Sequence, residues 1–179
     1  MCYNKTVMGN QAFIDGQNLT LGTTTSKHPW KVDLYRFREY LRKKYSVTKA
    51  YYFIGCINDE LQSLYDAIQD AGFIIVFRAH YPDALSSKKG NVDTDIVFTM
   101  MKNFHECSGV NKFFLVSGDG DYYKTIKYLN EQGKLGKVLF PAHGKASSLY
   151  RQLGNSCYDF LDKREIREKI EFKSRQHKK

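Results

Sequence analysis

Residues 112–123, KFFLVSGDGDYY, join a short apolar run to an acidic turn that contains two glycines. The run ends at Ser117, and its length and apolar character predict a strand that is buried on both faces. Apolar residues then recur at helical spacing, so the pattern predicts that a helix follows. Asp119 and Asp121 therefore lie where a strand passes into a helix. In an open α/β sheet, this is the edge where loops converge around ligands.

Four further apolar runs have the length of buried strands. They cover residues 11–14, 47–54, 73–78 and 137–140. Helical periodicity is present around residues 32–45, 61–68, 93–104, 121–132 and 147–153. Residues 19–29 contain three consecutive threonines and are predicted to form a loop. Strands that alternate with helices form βαβ units, so the sequence predicts an α/β fold with a parallel sheet and helices on both faces.

The length and charge of the chain suggest one domain and a polyanionic partner. At 179 residues and a net charge of +9, the chain is predicted to form one domain at 9–162, between a leader at 1–8 and a basic tail at 163–179. The tail holds eight Lys and Arg against three Glu. This excess favours binding to a nucleic acid through its phosphates, and a solvated basic helix would explain the composition equally well.

Cysteine spacing and hydropathy predict the cellular location of the protein. The four cysteines form no CxxC pair, which argues against a zinc site and a disulfide framework and predicts a reducing, cytoplasmic location. The sequence contains neither a long apolar run nor a signal peptide, so no membrane span is predicted. A phosphate loop and a complete dinucleotide fingerprint are also absent from the sequence, which disfavours nucleotide cofactors.

Aspartates follow two of the predicted strands and begin a helix between them. Asp15 ends one strand, Asp119 and Asp121 end another, and Asp93 begins the helix. Each of them alone is explained by a turn or a helix cap. Parallel topology brings all of them to one edge of the sheet, where carboxylates repel one another unless a cation compensates. Hard oxygen ligands select Mg²⁺ or Mn²⁺, so the sequence predicts a divalent metal site.

Such a metal site acts on phosphate esters, because the ion orients the ester, activates a bound water and neutralises developing charge. Asp95 is two residues from Asp93 on the same helix, so the two side chains point to nearly opposite sides and we expect only Asp93 to face the ion. Lys88 and Lys89 are predicted either to contact a substrate phosphate or to lie in a solvated loop. The Ser117 hydroxyl is predicted either at the edge of the site or in a strand-end turn.

Three segments resemble the signature blocks of a known family. They are FIDGQN at 13–18, KKGNVDTDIVFTMM at 88–101 and LVSGDGDY at 115–122. Their order and spacing over residues 9–162 resemble the NYN domain family of the LabA type, within the PIN-like nuclease superfamily. The resemblance implies a PIN-like three-layer α/β/α sandwich with a central, mostly parallel sheet. It also implies ribonuclease activity on RNA that depends on Mg²⁺ or Mn²⁺.

The resemblance also assigns site residues. The metal ligands that it implies are Asp15, Asp93, Asp119 and Asp121. Asn18 would orient water or ligand near Asp15. Many family members carry a further acid on the helix where this sequence has Thr99, which argues against a second, tightly held metal.

Two other functions fit the sequence. The first is an RNA-binding or regulatory protein with weak or no catalysis, in which the basic tail supplies most of the affinity. The second is a phosphatase of the haloacid dehalogenase type, because residues 93–97 fit its D-x-D-x-[TV] nucleophile motif. In that family the nucleophile follows an apolar strand, whereas here SSKKGN precedes Asp93 and a helix follows it.

Overall fold

Six strands form one parallel sheet in the computed structural model, which describes residues 9–55, 57–78 and 92–173. The strands are β1 (Gly9–Asp15), β2 (Val47–Ile54), β3 (Ile74–Phe77), β4 (Val110–Val116), β5 (Leu135–Phe140) and β6 (Tyr158–Phe160). Their order in the sheet is β3-β2-β1-β4-β5-β6, and every neighbouring pair is parallel. The carboxyl ends of all six strands therefore lie at the same edge.

Helices cover both faces of this sheet. Within the described residues they are α1 (Gly16–Thr24), α2 (Leu34–Tyr45), α3 (Gln62–Asp70), α4 (Val92–Glu106), α5 (Tyr123–Glu131) and α6 (Arg164–Ile170). Short 3₁₀ turns occur at Asp59–Leu61, Gly120–Tyr122, His143–Lys145, Ser148–Leu153 and Asn155–Cys157. Ala12 and Ile14 of β1 are buried in one core with residues of α1, α2, α3 and α6, whereas Phe13 is buried in the other core with residues of α4 and α5. The predicted three-layer α/β/α architecture is confirmed.

The predicted loop at 19–29 is wrong in its first half, because residues 16–24 form α1. The Asp15 side chain accepts a hydrogen bond from the Asn18 N–H and caps this helix. Threonine and glycine have low helix propensity, so the local pattern does not predict a helix. Tertiary packing stabilises it instead. Leu19 is 2% exposed, and a Cβ atom on Gly22 would lie 2.5 Å from the Pro141 side chain.

Two other elements differ from the prediction. Strand β6 was not predicted, because its three residues are too few to give a periodic signal, and its pairing with β5 is what creates it. The apolar residues of the helix predicted at 61–68 are only half buried. Tyr65 and Ile68 of α3 are buried, while Leu64 of α3 and Leu61 of the preceding 3₁₀ turn are 42% and 41% exposed.

The residues predicted to form a basic tail begin with α6. Ile166 and Ile170 of this helix are buried in the same core as α2. The Arg36 guanidinium donates to the carbonyl oxygens of Glu168 and Glu171, at 2.9 Å each. The basic side chains of residues 164–170 therefore belong to a helix that packs on the core. Residues 1–8 and 174–179 lie outside the described residues.

Two absences hold for the part of the chain that the structure describes. Cys107 and Cys157 form no disulfide. No helix among residues 9–55, 57–78 and 92–173 has the length and apolar character needed to cross a membrane.

Candidate metal centre

Three aspartates lie together beyond the carboxyl ends of the central strands. One carboxylate oxygen each of Asp93, Asp119 and Asp121 lies within 4.8 Å of the other two. Asp93 is in the first turn of α4, and the other two are in the turn that follows β4. Carboxylates this close repel one another, and hard oxygen donors suit Mg²⁺ and Mn²⁺. The donor set therefore fits a divalent cation.

Hydrogen bonds within the turn after β4 hold Asp119. One of its carboxylate oxygens accepts the Asp121 N–H at 3.0 Å, and its own N–H donates to Ser117 Oγ at 3.1 Å. The Tyr150 hydroxyl donates to the Asp119 carbonyl at 2.6 Å, and this tyrosine is 1% exposed. The backbone of Asp119 is thus fixed by the protein, and no hydrogen bond from the described residues engages its second carboxylate oxygen.

Asp15, predicted as a metal ligand, is not a member of the three-carboxylate cluster. It is 7% exposed. One carboxylate oxygen accepts the Asn18 N–H at 2.9 Å. The other accepts from the Ser117 hydroxyl at 3.3 Å and from the Tyr122 hydroxyl at 3.1 Å. Asp15 therefore lies behind the cluster, where protein groups occupy both of its oxygens.

Tyr122 connects Asp15 to the cluster. Its hydroxyl contacts Asp15 Oδ2 and also makes a very short hydrogen bond to Asp93 Oδ1. Burial, together with the charges of these two carboxylates, raises the pKa of Tyr122, so its hydroxyl stays protonated and can donate. A tyrosine hydroxyl has a single proton, so it donates to one carboxylate at a time. Tyr122 therefore couples the position of Asp93 to Asp15.

Asn18 and Ser117 have positioning roles in this arrangement. The Asn18 side-chain oxygen accepts the Gly118 N–H at 2.8 Å and so ties α1 to the turn after β4. This oxygen is therefore engaged within the protein, and the role that the resemblance implied for Asn18, orienting water or ligand near Asp15, stays a prediction. Ser117 is 0% exposed and lies between Asp15 and Asp119. Ser117 directly follows the last residue of β4, and its predicted place at the edge of the site, in contact with substrate, stays a prediction.

The helix α4 separates Asp93 from Asp95 as helical spacing predicts. Asp93 belongs to the cluster, and Asp95 does not. The Thr99 hydroxyl donates to the Asp95 carbonyl at 2.7 Å, so it is used within the helix. Asp93 lies inside the first turn of α4, whereas the phosphatase nucleophile directly follows an apolar strand, so this position does not fit that motif. Lys88 and Lys89, predicted to contact substrate, lie outside the described residues.

The sequence patterns did not point to Tyr122 and Tyr150, which hold Asp93 and Asp119. Both are aromatic residues in apolar patterns and look like ordinary core residues by sequence alone. Tyr122 directly follows Asp121 in the sequence. This position next to the acidic turn was the one sequence feature that could have indicated its contact with the site. Tyr150 is 31 residues from Asp119, and only the folding of residues 143–150 over the turn brings its hydroxyl there.

We expect Asp15→Asn to raise the free energy of unfolding at neutral pH without added metal. Burial raises the pKa of Asp15 above its ordinary value of 3.8, and the hydrogen bonds from Asn18, Tyr122 and Ser117 oppose this shift. As pH rises from 3.8 through the higher folded-state pKa, the unfolded chain loses its proton first, so the wild type loses stability. Asparagine does not titrate and remains a good helix cap.

The measurement is urea denaturation of both proteins in chelator from about pH 4 to about pH 8. The advantage of the variant should be greatest at the upper end and should shrink toward pH 4. A variant that is less stable than the wild type at pH 7 would contradict the prediction.

Comparisons with known proteins identify the family and the fold. A family model of the NYN domain matches residues 11–162. No curated protein matches the sequence. A crystal structure of a protein of unknown function from Vibrio parahaemolyticus is similar to this fold, with a TM-score of 0.73 and 17% sequence identity. The similarity covers 92% of this chain and 97% of that one. With the family match spanning all six strands except the first residues of β1, the chain belongs to the NYN domain family, within the PIN-like superfamily.

Proposed function

We propose that this protein is a metal-dependent ribonuclease that hydrolyses phosphodiester bonds of RNA, with Mg²⁺ or Mn²⁺ held by Asp93, Asp119 and Asp121. The observation that supports the proposal is the convergence of these three carboxylates within 4.8 Å at the carboxyl edge of the sheet. Membership of a family with a nuclease-like fold agrees with it. Asp15, which the sequence suggested as a fourth ligand, is assigned a positioning role through Tyr122.

A bound divalent ion supplies charge neutralisation at the phosphate and a water of lowered pKa. The protein's own residues keep the ligands in place before substrate arrives. Tyr122 holds Asp93 from the buried side, and the Asp121 N–H holds the Asp119 carboxylate. Asp121 is exposed, so the cluster opens to solvent where an RNA strand can approach. Preorganised ligands of this kind lower the cost of reaching the productive geometry.

RNA is the proposed substrate on the basis of the family and of the net charge of +9, which favours a polyanion.

One observation favours the second candidate function, an RNA-binding or regulatory protein with weak or no catalysis. Only three carboxylates converge among the described residues, because Asp15 is set apart and Thr99 replaces an acid. Such a site holds fewer charges for a metal than a four-carboxylate site would.

The wild-type protein should cleave labelled single-stranded RNA when Mn²⁺ or Mg²⁺ is present. Cleavage should stop in excess chelator and return when Mn²⁺ is restored, because the carboxylates alone cannot activate water. Gel electrophoresis of the labelled products measures both steps, and a gel-shift assay measures binding in parallel. Binding without cleavage in either metal would favour the second function, and cleavage that survives chelation would refute the metal centre.

A further inference from the structure

A histidine is held in a fixed orientation at the same edge of the sheet as the acidic cluster. The His143 ring nitrogen Nδ1 lies 2.6 Å from Asp162 Oδ1, and the His143 main-chain N–H donates to Asp162 Oδ2 at 3.0 Å. The ring stacks on Phe160 with centroids 3.8 Å apart and planes 8° apart. Two hydrogen bonds and a stacked face therefore fix the imidazole.

The fold places this histidine beside the turn that carries Asp119. His143 follows β5, and Asp162 follows β6, so both lie beyond carboxyl ends of strands. The 3₁₀ turn His143–Lys145 then packs directly on Gly118, because a Cβ atom there would lie 2.2 Å from the Lys145 carbonyl oxygen. The Ser147 N–H also donates to the Gly118 carbonyl at 2.9 Å. The turn that carries His143 and Lys145 is therefore packed against the residue that precedes Asp119.

Both side chains are available to a ligand. The His143 side chain is 58% exposed, and its Nε2 has no hydrogen-bond partner among the residues that the structure describes. Lys145 is also exposed, and no described carboxylate pairs with its ammonium group. Asp162 engages Nδ1, so Nε2 is the ring nitrogen that is left for a ligand, and an imidazolium ring donates to an anion from this position.

An acidic cluster repels the polyanion on which it is proposed to act. Three carboxylates carry more charge than one divalent ion offsets, so positive groups that bind the phosphates next to the scissile one favour the approach of RNA. We infer that His143 and Lys145 form a subsite that binds a neighbouring phosphate of the RNA strand, adjacent to the acidic cluster. This inference rests on the proposed function, since it names how the same site holds its substrate.

The test measures how RNA affinity depends on salt. All proteins carry Asp119→Asn, so that binding is recorded without cleavage, in Mg²⁺ and at one fixed pH. His143→Gln/Lys145→Gln is compared with His105→Gln/Lys102→Gln, which removes the same residue types from α4. Lys145→Gln alone is a second variant that leaves the His143–Asp162 pair intact. Melting curves verify that each protein is folded.

We expect the subsite double variant to lower the slope of log Kd against log salt by about 0.7 to 1, as loss of one phosphate contact predicts. The α4 double variant should keep the slope, and Lys145→Gln should lower it partly. The loss should be equal for RNA and for DNA of the same sequence. A loss confined to RNA would overturn the phosphate assignment in favour of a 2′-hydroxyl contact.

Two further outcomes separate this inference from the proposed function. If the parent Asp119→Asn protein binds RNA and the subsite variants bind with the same salt slope, the subsite is refuted and the ribonuclease proposal stands. If neither the parent nor the wild-type protein binds RNA at any salt concentration, both are refuted.

Discussion

Replacing Asp93 by asparagine should abolish RNA cleavage, with kcat lowered at least about 1,000-fold, whereas Asp95→Asn should keep most of the activity. A thousandfold fall corresponds to about 4 kcal/mol, which is the scale of charge stabilisation that a bound metal supplies. Asp93 contributes an oxygen to the cluster, and Asp95 does not. Because both lie in the first turn of α4, the two substitutions weaken the helix dipole interaction equally.

Asp119→Asn should have the same effect as Asp93→Asn. Asparagine can still accept the Asp121 N–H and preserve the cap of the turn, so the loss reports the missing charge and not a collapsed turn. Single-turnover cleavage of labelled RNA in Mn²⁺ gives the rates, and filter binding shows whether affinity for RNA is retained. Equal cleavage by Asp93→Asn and Asp95→Asn would exclude the cluster as the catalytic centre.

Replacing Gly118 by alanine should destabilise the fold by about 2–4 kcal/mol, as overpacking against a backbone atom does. Its Cβ would lie 2.2 Å from the Lys145 carbonyl oxygen, and a backbone group cannot rotate away as a long side chain can. The shift would strain two hydrogen bonds, from the Gly118 N–H to Asn18 and from the Ser147 N–H to the Gly118 carbonyl.

Gly144→Ala is the matched control, since no atom lies within 4 Å of a Cβ atom built there. Urea denaturation of both variants gives the difference in free energy of unfolding. The control should be within about 0.5 kcal/mol of the wild type, which is usual for exposed substitutions. If Gly118→Ala unfolds at the wild-type urea concentration, the packing of residues 143–147 on the acidic turn is incorrect.

The local sequence was sufficient for the parallel sheet and for the edge that carries the aspartates. Strand β2 was predicted with its observed bounds, because residues 50–54 form an apolar and aromatic run that is typical of a buried strand. The position of Asp119 after β4 and of Asp93 at the start of α4 follows from the same periodicity. Burial dictates those patterns residue by residue, so they are visible without a structure.

Local sequence patterns did not predict helix α1 or strand β6. Threonine and glycine in α1 disfavour a helix locally, and the contact of Gly22 with Pro141 outweighs that preference. Strand β6 has three residues, and β5 supplies its hydrogen-bond partners. In both cases the stabilising groups are distant in the chain, and a short window of sequence contains no trace of them.

The sequence by itself determined that carboxylates would gather at one sheet edge, since parallel strands send their carboxyl ends to the same side. Only the tertiary structure decided which of them meet. The buried Asp15 carboxylate is hydrogen-bonded to Ser117 and Tyr122, whereas the Asp121 carboxylate lies close to those of Asp93 and Asp119. The reason is that periodicity specifies the face of an element, whereas distances between side chains depend on how loops pack across the edge.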